Sequence, residues 1–223
     1  RTTPPEVPFS EFADALAAGD LEAATYLYLE ATFADPTSEA ALEALGSMQA
    51  QAGDLGSALA TFIDLIDLNP NSVSGWVWIG AIESALDNWS AAVSAFRTVT
   101  TLSPGDADGY RLLGDAAGAA GQWDAVAEAY TSAISKGTPT SHDWDQLAMA
   151  YTYLGDLDDA ITAMEHAASL SPDNQAYLDD LAYLTSQQQQ TPPEIIVEVP
   201  AEEPDVEPAV VAVDPAPEVE PAV

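Results

Sequence analysis

In Gly155-Asp156-Leu157-Asp158-Asp159-Ala160, three carboxylates stand within four positions of one another. Oxygens gathered so closely could hold a hard cation or share a proton in acid–base work. Asp106-Ala107-Asp108-Gly109 offers a second oxygen-rich stretch. It lacks the third oxygen position and the closing glutamate of a twelve-residue calcium loop. His142 and His166 are the only histidines, and there is no cysteine. A zinc site needs three or four converging ligands, so both histidines read as surface residues. There is no Gly-x-Ser-x-Gly elbow or phosphate-cradling glycine loop. Gly114, Gly118 and Gly121 are spaced like a packing seam on a helix.

The acidic cluster is explained by its copies. Gly155-Asp156-Leu157 is matched 34 residues upstream by Gly121-Gln122-Trp123, then by Asp87-Asn88-Trp89, Gly53-Asp54-Leu55 and Gly19-Asp20-Leu21. Self-similarity at a fixed period of this size marks a solenoid of stacked units. Asn88, Gln122, Ser90 and Gly56 occupy the places of the aspartates in other copies, and such residues turn a chain or cap a helix. Gly155 therefore reads as a left-handed helix stop, Asp156 as the cap of the next helix, and Asp158 and Asp159 as first-turn acids.

Other columns keep the same step. Gly46, Gly80, Gly114 and Ala148 form a small one, and Tyr28, Phe62, Phe96, Tyr130 and Met164 a bulky one. Trp76, Trp89, Trp123 and Trp144 fall in repeat columns too, which predicts that they are core. Within one unit Trp144, Leu147, Ala148 and Tyr151 share a helical face. Pro36, Pro70, Pro104 and Pro172 close units, with Pro139 shifted by one residue.

Bulky–x–x–Leu–Gly, then Gly-Asp, Ala, an aromatic, Ala and Pro, all in register, closely resembles the tetratricopeptide repeat. The resemblance implies an all-α, right-handed superhelical solenoid of five helix–turn–helix repeats plus a terminal capping helix, followed by an extended Pro-rich acidic tail. The expected boundaries are an N-terminal extended segment over 1–8 and a solenoid over 9–190. Its repeats lie near 5–38, 39–72, 73–106, 107–140 and 141–174, with a capping helix over 175–190. The tail spans 191–223. No cofactor, metal or catalytic residue is expected, and the chain is not expected to be an enzyme.

By the same resemblance the concave face is lined by first-helix residues, among them Val77, Arg111, Asp115, Asp145, Met149 and Tyr153. Relatives that grip acidic C-terminal peptides use a clamp of Lys, Arg and Asn there. This chain supplies Arg111 with no second cation, so a basic or apolar segment is the expected ligand.

Charge points the same way. Thirty-seven acids face four bases among 223 residues, a formal charge of −33. Such a chain repels nucleic acid and anionic membranes. No apolar run approaches the roughly 18 residues of a membrane span. Its partners should be basic or apolar proteins, other copies of itself in strong salt, or monovalent or divalent cations that screen acidic faces. Lys136 is the only lysine, and abundant Asp and Ala accompany it, a composition similar to that of halophile proteins.

From Thr191 the last 33 residues hold eight prolines and nine acids with no base, which reads as extended, polyproline-like chain. Two β-prone pieces interrupt it: Ile195, Ile196, Val197 and Val199, then Val210, Val211 and Val213. Pieces of this kind would dock along another copy, and a head-to-tail contact that does not close gives a filament or tube. The first expectation is therefore a non-catalytic interaction or structural protein that assembles with itself through tail-to-solenoid contacts, and the alternative is a monomeric adaptor holding a basic or apolar peptide in its concave groove. Asn88-Trp89-Ser90 is a formal N-glycosylation acceptor. The chain opens on Arg1 rather than methionine; a removed export segment or a cut within a longer protein would both account for that. An extracellular location is the expectation, with a cytoplasmic one the alternative.

Overall fold

The computed structural model describes residues 39–190, together with Ala23 and Tyr26. The N-terminal segment, most of the first repeat and the tail lie outside the described residues, and with them every tail residue named above. The remainder is four helix pairs and a last helix. First helices are α1 (Glu39–Gln51), α3 (Val73–Ala85), α5 (Ala107–Ala119) and α7 (Ser141–Leu154). Second helices are α2 (Leu55–Leu68), α4 (Trp89–Leu102), α6 (Trp123–Lys136) and α8 (Leu157–Leu170), and α9 (Gln175–Gln190) ends the stack. Corresponding helices start 34 residues apart, so the sequence period is the structural period. There are no strands among the described residues, and no described helix is long and apolar enough to cross a membrane.

Local signals set these boundaries. Gly53, Gly121 and Gly155 have φ of 81°, 70° and 87°, a region that costs a side chain free energy and glycine nothing. Asp87 holds the same turn in the second described pair at φ 59°. Gly121 is thus a turn residue and no part of a helical seam with Gly114 and Gly118. Ser72, Asp106 and Thr140 cap first helices through their side chains, Thr140 reciprocally with Asp143. Asp54 caps α2 by accepting from the Ser57 N–H at 3.1 Å.

Asp156 departs from expectation. It occupies the cap position of α8 but makes no side-chain cap bond, although its backbone angles match those of Asp54 within a degree or two. Asp158 and Asp159 already load that first turn with negative charge. Asp158 instead accepts from Gln188 Nε2 of α9 at 2.7 Å. The acidic cluster of Asp156, Asp158 and Asp159 is therefore helix punctuation and an inter-helix tie.

The core is made by the periodic columns. Ala58, Ala92, Val126 and Ala160 are buried, as are Leu65, Val99, Ala133 and Ala167. Three times, an aromatic ring from a second helix sits over a glycine of its own first helix. A Cβ placed on Gly46, Gly80 or Gly114 would lie 2.7, 2.5 or 2.5 Å from Phe62, Phe96 or Tyr130. Only a residue without a side chain admits the ring.

The tryptophans lie shallower than expected: Trp76, Trp89, Trp123 and Trp144 are half-buried, and Trp76, Trp123 and Trp144 pack against the main core cluster. An indole must keep its N–H partnered, which holds its edge near the surface. Trp76 Nε1 donates to the Pro70 carbonyl at 2.9 Å, and one unit later the Tyr110 hydroxyl donates to the Pro104 carbonyl at 3.4 Å. Trp144 stacks on exposed His166, with ring centroids 4.3 Å apart.

Candidate protein-binding surface

The expected first-helix residues have different fates. Val77 on α3 is half-buried against the main core cluster. Arg111 on α5 is committed within the chain. Its Nε and a terminal nitrogen bond both oxygens of Asp143 at 2.8 and 2.9 Å, and it also reaches Asp108 and the Thr138 carbonyl.

Asp143 has no exposed surface. Burial alone would push its carboxyl up. The Arg111 guanidinium and the Thr140 donors together outweigh that and hold it below the ordinary value, while Arg111 itself is pushed up. This fork-on-carboxylate pair joins α5 to α7 across the boundary between units. Arg111 is therefore an internal tie, with its charge already answered.

Asp115 is likewise engaged, accepting from the hydroxyl of buried Tyr130. Burial, then Asp115, pushes that phenol up, so it stays a neutral donor.

Met149 and Tyr153 are left open. They are 39% and 64% exposed, and Tyr153 lies flat on Trp123 of α6, with centroids 3.9 Å apart. Both line a cleft of about 260 Å³ between α7 and α9. Asp145, Met149 and Tyr153 form its α7 side, Met164 of α8 its floor, and Asp180 and Tyr183 of α9 its far side. Spacings of three and four residues place these side chains on one face of each helix. The two helices pack on α8 far more than on each other, which leaves the gap.

The cleft has a local cause. In the last pair the glycine of the small column is Ala148 and the ring of the bulky column is Met164, and both line the cleft. An alanine Cβ at that position has no room for the ring that fills the other units. The thinner, flexible thioether leaves space behind.

Asp180, Tyr183 and Met164 were missed as site residues in the sequence. The available signal was the paired exception, Ala148 with Met164, in two otherwise regular columns. Asn88, the formal glycosylation acceptor, is exposed at the α4 cap position and donates to Glu83 Oε2 at 2.8 Å. Asp106 serves as the cap of α5, and Asp108 pairs with Arg111. No group of three or more metal-capable side chains occurs among the described residues.

Comparison with known proteins agrees with this architecture. Two tetratricopeptide repeat families match, one over residues 10–73 and 79–142, more than half of the chain, and the other over residues 142–174. A crystal structure of MamA superposes with a TM-score of 0.67 at 23% identity, covering 75% of this chain and 92% of that one. MamA from Desulfovibrio magneticus RS-1, residue 41 to its end, gives 0.64 at 21%, covering 84% and 99%. YrrB, described as a repeat protein with an unusual peptide-binding site, gives 0.68 at 15%, covering 80% and 91%. At these identities the structures speak to the fold alone. No curated protein sequence matches. The period, the helix pairs and the matched profiles agree: this chain belongs to the tetratricopeptide repeat family.

Proposed function

We propose that this protein is a non-catalytic interaction scaffold whose C-terminal cleft and neighbouring first-helix face hold an extended, basic or apolar segment of a partner protein. Tetratricopeptide repeat proteins are generally non-catalytic scaffolds, which supports the coarse reading. One observation carries the finer one: Asp143 neutralises Arg111, while Asp145 and Asp180 border an apolar cleft. A surface of that sign disfavours an acidic ligand.

The test is fluorescence anisotropy of the full chain with labelled basic, apolar and acidic peptides at about 0.15 and 1 M salt. Basic peptides should bind and weaken as salt rises, and acidic ones should not bind. Preference for acidic peptides would overturn the reading.

A second reading, self-assembly into an extracellular filament or tube through the tail, is favoured by the Ile195–Val199 and Val210–Val213 pieces, which a plain spacer does not need. Removing residues 191–223 should then abolish high-salt assembly seen by electron microscopy. Unchanged polymers from the truncated chain would refute it.

A further inference from the structure

We propose that the cleft between α7 and α9 is a receptor for a single lysine or arginine side chain of the partner segment. The apolar stem would lie against Met149, Met164 and Tyr183, and the cationic head between Asp145 and Asp180. This rests on the scaffold reading and adds the chemical group that the surface selects.

Size is the first argument. At about 260 Å³ the cleft falls below the roughly 300–1,000 Å³ of sites for whole small molecules, and one long side chain suits it. Its wall chemistry is the second. Methionines adapt to an irregular stem, and lysine and arginine bury their methylenes while the charge stays at a wet rim.

Charge is the third argument. Burial pushes the Asp145 carboxyl above its ordinary value; His142 opposes this and Asp180 reinforces it. Arg97, Arg111 and Lys136 are the cations among the described residues, and none lines the cleft.

The protein carries its own template for the missing cation. Arg111 and Asp145 occupy the same place in consecutive units, 34 residues apart. At the α5–α7 step, Arg111 reaches across to a carboxylate of the next first helix. At the α7–α9 step the equivalent residue is Asp145, and a second carboxylate, Asp180, stands across the gap. A partner's cation would do between α7 and α9 what Arg111 does between α5 and α7. The protein's own tail, with nine acids and no base, cannot supply one.

The test uses the methionine methyl groups of the full chain, labelled with carbon-13. The chain has three methionines: Met149 and Met164 line the cleft, and Met48, buried on α1, is the reference. The probe is acetyl-Ala-Ala-Lys-Ala-Ala-amide, compared with the same peptide carrying norleucine or glutamate in place of lysine. The lysine peptide should shift the Met149 and Met164 resonances and leave Met48 in place. Affinity should fall about tenfold in Asp145→Asn/Asp180→Asn, as expected when charge-assisted contacts are lost. An unmoved Met48 resonance reports that the variant is folded.

Equal response to norleucine, or undiminished binding by the double variant, would overturn the proposal in favour of a purely apolar occupant. Absence of any cleft response, while basic peptides still bind by anisotropy, would sink this inference and leave the scaffold reading standing. Absence of binding in both experiments would remove both.

Discussion

Replacing Gly114 with alanine tests whether the ring-over-glycine contact governs each unit. In an exposed helix interior the change should stabilise by about 1 kcal/mol, through propensity alone. Here the new Cβ would lie 2.5 and 2.7 Å from Cε2 and Cδ2 of Tyr130. That ring is fully buried and its hydroxyl is fixed on Asp115, so it has no open direction in which to retreat. Overpacking of this kind costs about 1–3 kcal/mol, which outweighs the propensity gain. A net loss of up to about 2 kcal/mol follows, or about 2–4 °C in Tm per kcal/mol for a chain of this size.

In a Tyr130→Met background the fourth unit takes the Ala148–Met164 form of the fifth, and Gly114→Ala should become neutral or stabilising. The coupling between the two changes should be about 1–3 kcal/mol. Urea unfolding followed by both circular dichroism and tryptophan fluorescence measures it, and agreement of the two probes checks that the array unfolds as one unit. An increase in stability from Gly114→Ala alone, or the same cost in both backgrounds, would refute the steric reasoning.

Arg111→Met should cost about 2–4 kcal/mol at neutral pH, because Asp143 is left buried with only its Thr140 donors. The folded-state pKa of Asp143 is depressed, so the pair stabilises fully above about pH 4 and is lost as pH falls through the lower folded value. The variant's deficit in urea unfolding should therefore shrink as pH falls below about 4; an undiminished deficit would refute the assignment. Asp87→Gly should raise stability by about 0.5–1 kcal/mol, since the turn holds a φ of 59° that glycine adopts without strain; chemical denaturation showing no gain would count against it. With a formal charge of −33, Tm should climb between about 0.1 and 1 M salt, and a flat calorimetric profile would remove the halophile-like reading.

The repeats were legible because a solenoid makes the same contacts in every unit, so columns such as Phe62, Phe96 and Tyr130 announce themselves. What occurs once was not. The Arg111–Asp143 pair spans a unit boundary and has no counterpart elsewhere in the register. The cleft depends on Ala148 and Met164 departing together, and each looks like a conservative change alone. Tryptophan columns signalled packing but not depth, because the indole N–H of Trp76 needs a carbonyl near the surface. Asp54 and Asp156 sit on equivalent backbone, yet only Asp54 makes a side-chain cap bond, a difference that residue type does not announce.

The Ala148–Met164 exchange has a wider implication for how a repeat array acquires an opening. Since every step reuses one backbone, an opening can be shifted along the stack by trading two side chains, with no helix redrawn. Transplanting the pair one step toward the amino end, and restoring glycine and an aromatic at the last, would move the vacancy while the scaffold stayed the same. Position along the array then becomes an adjustable property, independent of the architecture that carries it.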